Sequence, residues 1–333
     1  THRRGVGLPI NTALYDQWIH EKYVTGKYDF SFERDSEPDS PPPKQGVFLV
    51  SYKVTNSIAL RPQAVSNLLR LTMVDDWRDG GRIQNAGVRA AAISATYLLL
   101  FRAAEELDVA PEEFEVLEPR TYVSNEGSSY PLIQICDSLV NGSGLCQLLH
   151  QDKDGLPRVF RMIRSILEDT DKYPLADLID TNHIACCKEG CYRCLYRYGN
   201  QFYHGLLDWR LGLDYLGVLW DQNYLAGMDG DFSAPSLQDW TERVAAFATE
   251  IARLNSSVSD VKYCGEVPIV RVNNDDGWVA IRHPLWDWDQ LIDTNDELAD
   301  FTDEHKVVPV STFDLARRII RTVEKAKEKL AAG

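Results

Sequence analysis

The chain has 333 residues, 44% of them hydrophobic, and sets 35 Lys and Arg against 50 Asp and Glu for a formal net charge of −15. That is ample apolar material for a buried core, and the length allows two domains. Such an acidic balance argues against a protein that wraps duplex DNA through one broad basic face, because phosphate contacts and counterion release supply most non-specific affinity. Nucleic-acid contact, if made, is local or shared with a more basic partner. The longest apolar run, Ala90 to Phe101, is too short to span a bilayer and carries small and polar members. No secretory signal is evident, and a start at Thr1 suggests the C-terminal part of a longer protein. Clustered cysteines without a secretory context indicate a reducing cytoplasm.

Residues 1–45 read as an N-terminal segment followed by an acidic, proline-rich linker. Leu8 to Tyr23 has enough apolar residues for a helix or a pair of strands, and the charged run from Phe32 to Gln45 cannot bury apolar surface. Residues 46–222 form the main domain. Gly46 to Ile58 is rich in β-branched and aromatic residues and predicts a strand. A helix is expected from Gln63 to Leu71 and another, more strongly patterned, from Arg82 to Leu107, stopped by Pro111. Glu115 to Val123 and Pro131 to Leu139 alternate like two strands around the turn at Asn125. The tight loop Asn141-Gly-Ser-Gly144 then opens a helix carrying Cys146. It lacks the Lys-Ser/Thr of a phosphate-binding loop, so a backbone-fitting role is favoured over an anion site. One or two helices follow from Pro157 to Ile179.

Four of the seven cysteines, Cys186, Cys187, Cys191 and Cys194, fall within nine residues. Cys191-x2-Cys194 lets two thiolates from one tight turn share a tetrahedral ion, with Gly190 supplying backbone freedom. Cys187 adds a third ligand from the same knuckle, with Cys186 as its alternate. The fourth is placed at Cys146, ahead of Cys136, His183 and the neighbouring cysteine. A closed structural zinc site is the leading reading. Buried free thiols and a disulfide framework are the alternatives, the latter disfavoured by the odd count and the size of the chain. No His-x-Glu occurs, so a zinc deaminase centre is excluded. His204 reads as a structural histidine opening an amphipathic helix to Gln222, whose apolar face is Leu207, Leu211, Tyr215 and Val218. Asp208 and Arg210 read as structural hydrogen-bonding residues.

The run Cys187-Lys-Glu-Gly-Cys191-Tyr-Arg-Cys194-Leu195, followed by Tyr198, Asn200, His204 and Leu207-Asp-Trp-Arg-Leu211, resembles the MrfA-type zinc-binding (MZB) domain. That domain occurs at the C-terminal end of certain superfamily 2 DNA helicases and in their partner proteins. Asp137 with Gly142-Ser-Gly144, the helix after Pro157, the knuckle and Leu207 to Arg210 supply the family's parts in order, so the resemblance covers roughly residues 47–222. The Leu-Asp-Trp-Arg-Leu-Gly-Leu version, with the segment from Cys136 to Cys146, is most similar to the DrmB family, helicase partners in the DISARM antiphage system. The resemblance implies one structural Zn²⁺ per chain, a DrmA-like superfamily 2 helicase as partner, and DNA engaged through that complex.

Residues 223–333 form a tail. Asn223 to Ala234 marks a boundary, and Ser236-x2-Asp239 opens a helix of about eighteen residues with the stripe Leu237, Trp240, Val244, Phe247, Ile251 and Leu254. Lys262 to Val272 and Trp278 to Trp286 flank the hairpin signal Asn273-Asn-Asp-Asp-Gly277, and Val307 to Val310 adds a short strand before a basic helix from Phe313. The whole therefore reads as α+β: a mostly helical zinc-knuckle domain with short antiparallel strands, plus a small C-terminal α/β module suited to docking. Lys188, Arg193, Arg197 and Arg210 around the knuckle are candidate nucleic-acid contacts, as are Arg317, Arg318, Arg321, Lys325, Lys327 and Lys329 in the last helix. Interleaved acidic residues keep an ordinary solvated face open for both groups. No ATPase, protease, deaminase or clear nuclease motif occurs, and no catalytic residue is assigned. A non-catalytic helicase accessory is thus expected. The alternatives are the end of a single-chain repair helicase and, more remotely, a Mg²⁺-dependent nuclease using Asp260, Glu266, Asp276 and Glu304.

Overall fold

A computed structural model describes the backbone of residues 29–34, 47–57 and 64–73 and, from residue 83 onward, all but 124–128, 140–142, 151, 154–155, 222, 256–259 and 333. The fold is α+β. Its described residues fall into two compact units, one comprising those up to Gln84 with Arg89–Asn223, the other Asn85–Val88 with those from Tyr224 onward. The expected helix or strand pair at Leu8 to Tyr23, the turn at Asn125 and most of the proline-rich linker lie outside the described residues. Among the described residues no helix is long and apolar enough to cross a membrane.

The first unit contains an antiparallel sheet of β1 (Asp29–Arg34), β2 (Val47–Ser57), β3 (Ala64–Met73), β4 (Phe114–Val123) and β5 (Ser129–Asp137), in the order β1-β2-β3-β5-β4. Two expectations change here. Residues 32–34 belong to a strand, with Phe32 opposite Val54 and Arg34 opposite Tyr52. The helix expected from Gln63 to Leu71 is β3, hydrogen-bonded on one side to β2 and on the other to β5. Its apolar residues repeat irregularly enough to suit either structure, and pairing on both edges decides for the strand.

Helix α1 (Ala86–Glu106) follows, and its small buried residues Ala90, Ala91, Ala92, Ser94 and Ala95 allow close packing along one length. After α2 (Leu145–His150) come the short antiparallel pair β6 (Asp152–Lys153) and β7 (Leu156–Pro157), α3 (Arg158–Glu168), α4 (Leu175–Leu178) and α5 (Thr181–Cys186), then a 3₁₀ turn at Tyr198–Tyr203 and α6 (Trp209–Trp220). The amphipathic helix expected from His204 starts instead at Trp209, because Asp208 caps it: its carboxylate accepts from the N–H groups of Arg210 and Leu211. Every residue from Trp209 to Leu219 is buried, so α6 has no solvent face. It approaches α1 at Gly212, where an added Cβ would lie 2.9 Å from Leu98 Cδ1 and 3.0 Å from the Ser94 carbonyl carbon.

The second unit packs α7 (Trp240–Leu254) on a four-stranded sheet in which the last strand in sequence lies at one edge and the first at the other. β8 (Val261–Cys264), β9 (Val267–Arg271) and β10 (Gly277–Arg282) form an antiparallel meander, and β11 (Lys306–Ser311) joins β10 in parallel. A parallel neighbour demands a crossover. It is made by α8 (Trp288–Thr294) and α9 (Asp296–Glu304), capped by Asp287 and Asn295. Neither helix was expected from the sequence, because their acidic, polar composition hides the few buried positions, Leu291 and Leu298. The stretch Lys262 to Val272 is two strands rather than one, turning at Gly265, whose φ of +56° favours glycine. Of the predicted α7 stripe, Leu237, Trp240, Val244 and Ile251 join the core with Ile269, Val279, Ile281 and Trp286, whereas Leu254 is exposed. Helix α10 (Thr312–Ala332) leaves helical geometry at Arg318, where Thr322 Oγ1 donates to the Asp314 carbonyl across the break.

Candidate metal centre

Helix α5 begins at its cap, where the Asp180 carboxylate accepts from the His183 N–H at 3.0 Å. It ends at Cys187, so one short helix delivers two side chains a turn apart. The following knuckle is closed by its own backbone. Cys194 N–H and Tyr196 N–H both donate to the Cys191 carbonyl, at 3.1 and 2.9 Å, and Cys191 N–H donates to Cys194 Sγ at 3.2 Å. Gly190 meets a steric need: an added Cβ would sit 2.6 Å from the Tyr196 ring, itself stacked on His204 at 4.1 Å. Its φ is not in the left-handed region. The reason for glycine is therefore close approach rather than backbone freedom.

These loops bring His183, Cys187, Cys191 and Cys194 together with all ligating atoms within 4.8 Å of one another. Cys187 Sγ lies 3.8 Å and Cys191 Sγ 3.7 Å from Cys194 Sγ. A tetrahedron with metal–sulfur bonds of about 2.3 Å has edges of about 3.8 Å, so the spacing fits a zinc-sized ion. His183 Nδ1 is 3.0 Å from the Leu178 carbonyl. That contact makes Nδ1 the donor and leaves Nε2 as the lone-pair nitrogen, buried and without a hydrogen-bond partner. A buried nitrogen with its lone pair turned toward three thiols is the signature of a ligand. The Cys194 thiol is drawn down by the hydrogen bond from Cys187, against burial and with help from the Cys191 N–H. Cys187 is pushed up by the same hydrogen bond and by burial. A cation bound among these sulfurs would displace their protons.

The fourth member of the cluster is His183 and not Cys146. Cys146 is buried outside it, its Sγ 3.6 Å from the Ile135 carbonyl, and its N–H donates to Asp137 Oδ1. The other Asp137 oxygen accepts from the N–H groups of Ser143 and Gly144, so this carboxylate holds the start of α2. The alternate ligand Cys186 is exposed and donates to the Asn182 carbonyl at 2.9 Å. Cys136 is buried in β5. The sequence contains the missed signal: His183-x3-Cys187-x3-Cys191-x2-Cys194 continues the cluster's spacing by one helical turn.

Two of the four candidate nucleic-acid contacts hold the knuckle. Arg210 is only 4% exposed, stacks over Trp209 and donates from Nη1 to the Lys188 carbonyl at 2.7 Å. Together with the Trp209 N–H to Glu189 carbonyl bond at 2.9 Å, it fastens α6 to the loop between Cys187 and Cys191. Arg197 lies over Phe101 and donates to the carbonyls of Tyr192, Cys194 and Tyr196. Lys188 and Arg193 remain at the surface, the latter 3.7 Å from Asp180. Beside them Tyr192, Tyr198 and Phe202 are exposed, Phe202 almost completely.

Comparison with family models and with curated proteins gives no match. A solved structure described as "Crystal Structure of DUF1998 helicase MrfA bound to DNA" aligns with a TM-score of 0.31 and 12% identity over 58% of this chain. The alignment covers 24% of that protein, so this chain spans about a quarter of its length.

Proposed function

We propose that the chain is a non-catalytic accessory protein built on an MZB-type domain, which binds one structural zinc ion, pairs with a superfamily 2 DNA helicase and helps it engage DNA. The finer reading, from the Leu207-Asp-Trp-Arg-Leu-Gly-Leu213 motif, is a DrmB-like subunit acting beside a DrmA-like helicase in DISARM-type antiphage defence. What carries the reading is the His183, Cys187, Cys191 and Cys194 cluster joined to the buried start of α6 through Arg210 and Trp209. A three-cysteine, one-histidine set with no position for substrate is a structural arrangement. When bound, zinc supplies cross-linking: it closes the loop around residues 187–194. The residues of the chain do the rest. Asp208 orients α6, Arg210 holds the loop carbonyl, and Arg197 draws three further carbonyls together, which leaves a stiff aromatic surface for a partner.

The test is co-purification of the chain with a superfamily 2 helicase from the same organism, together with elemental analysis. Wild type should carry close to one zinc and co-elute with the helicase. Cys191→Ser and Cys194→Ser should lose both properties. Zinc-free wild type, or variants that keep the partner, would sink the proposal.

A further inference from the structure

The second unit carries a cleft of about 410 Å³ at the carboxyl ends of β10 and β11. Its floor is set by register: Arg282 and Ser311 close the two parallel strands opposite one another. Crevices at such strand ends are where α/β sheets collect ligands. Five cations line it, Arg282, Arg318, Arg321, Lys325 and Lys329, against one carboxylate, Asp314, which accepts from the Ser311 hydroxyl. In a chain with a net charge of −15 this is a strong local reversal of sign.

The cations are ordered along a line. Arg321, Lys325 and Lys329 repeat every fourth residue on one face of α10, and the backbone break at Arg318 brings that residue to the same cleft. The acidic residues interleaved in the sequence, Glu324 and Glu328, lie outside the lining. None of Arg318, Arg321, Lys325 and Lys329 pairs with a carboxylate among the described residues. The opposite wall is the turn at residues 85–87 that opens α1, and a helix start presents N–H groups without intrahelical acceptors and a positive dipole end. It sits tightly there: a Cβ on Gly87 would lie 2.7 Å from Pro284 Cβ.

We infer that this cleft binds the phosphodiester backbone of a nucleic-acid strand. Length separates a polymer from a single phosphate. From Arg321 to Lys329 the helix rises roughly 12 Å, about three nucleotides at the spacing of one strand in a duplex. The assignment deepens the proposed function by locating DNA contact, and rests on that reading for the identity of the polyanion. It makes no use of the metal.

The experiment is fluorescence anisotropy of the full chain on a labelled 20-nucleotide DNA, single-stranded and duplex, between 50 and 200 mM NaCl. The cleft variant is Arg321→Ala/Lys325→Ala/Lys329→Ala. The control, Arg164→Ala/Lys172→Ala/Arg253→Ala, removes the same charge from exposed positions already paired with Glu168, Asp169 and Glu250. The cleft variant should bind about tenfold or more weakly, with a salt dependence shallower by about 2 to 3 contacts. The control should match wild type. Equal loss in both variants, no binding by wild type, or stronger displacement of DNA by polyglutamate than by polyphosphate would each overturn the inference. Circular dichroism confirms that the variants fold. Zinc content and helicase co-elution, measured on the same variants, report on the proposed function separately, so either idea can fail alone.

Discussion

His183 holds two nitrogens with opposite assignments, one bonded to the Leu178 carbonyl and one facing three thiols. A packed core histidine would find partners for both. The expected outcome is that His183→Ala loses the metal in elemental analysis and destabilises the first unit, whereas Cys146→Ser retains close to one ion per chain. Loss only from Cys146→Ser would restore the sequence assignment, and retention by both variants would exclude both residues as required ligands. The cysteine knuckle was legible because Cys-x2-Cys is a local geometric requirement. The fourth member of the cluster was ranked behind Cys146, because a lone histidine has many structural uses, and only the folded α5 shows which ring nitrogen faces the thiols.

At the scale of elements, α6 is fixed by two local choices whose strengths differ. Asp208→Ala removes the cap from a buried helix start and should cost about 1–2 kcal/mol. Gly212→Ala gains up to about 1 kcal/mol of helix propensity but forces a methyl into the α1 contact, where overpacking typically costs about 1–3 kcal/mol. The balance should be destabilising, visible as a lower denaturant midpoint; a stabilised Gly212→Ala would show that α1 moves aside freely. Sequence reading reached the C-terminal end of α1 and the start of α10 to within one residue, because long runs of patterned residues average out local noise. It failed at β3, where Leu68, Leu69 and Leu71 suit either period until two neighbouring strands bind the backbone. It failed at α8 and α9, whose burial rests on one leucine each. Asp208 was recognised as structural, but its effect on where α6 begins was not.

Over the whole molecule, metal dependence should be unequal. The first unit relies on the cluster to join α5, the knuckle and α6, whereas the second has a continuous core around Trp240, Trp278 and Trp286 with no ligand set among its described residues. Adding a chelator should therefore lower the first thermal transition and leave the second in place, since binding energy at such a site is folding energy. A single transition shifted as one would contradict this division. A basic cleft among the described residues of an acidic chain is what the proposed nucleic-acid contact requires.

Among the cysteines of the knuckle and its flanks, Cys186 alone is exposed, one residue from the buried Cys187. The adjacent pair thus forms an internal gauge of occupancy. Iodoacetamide should alkylate Cys186 rapidly in every preparation, and Cys187, Cys191 and Cys194 only once the ion is withdrawn. A mass spectrum showing one adduct in the loaded protein and three more after chelation would read out the state of the centre without activity, partner or label.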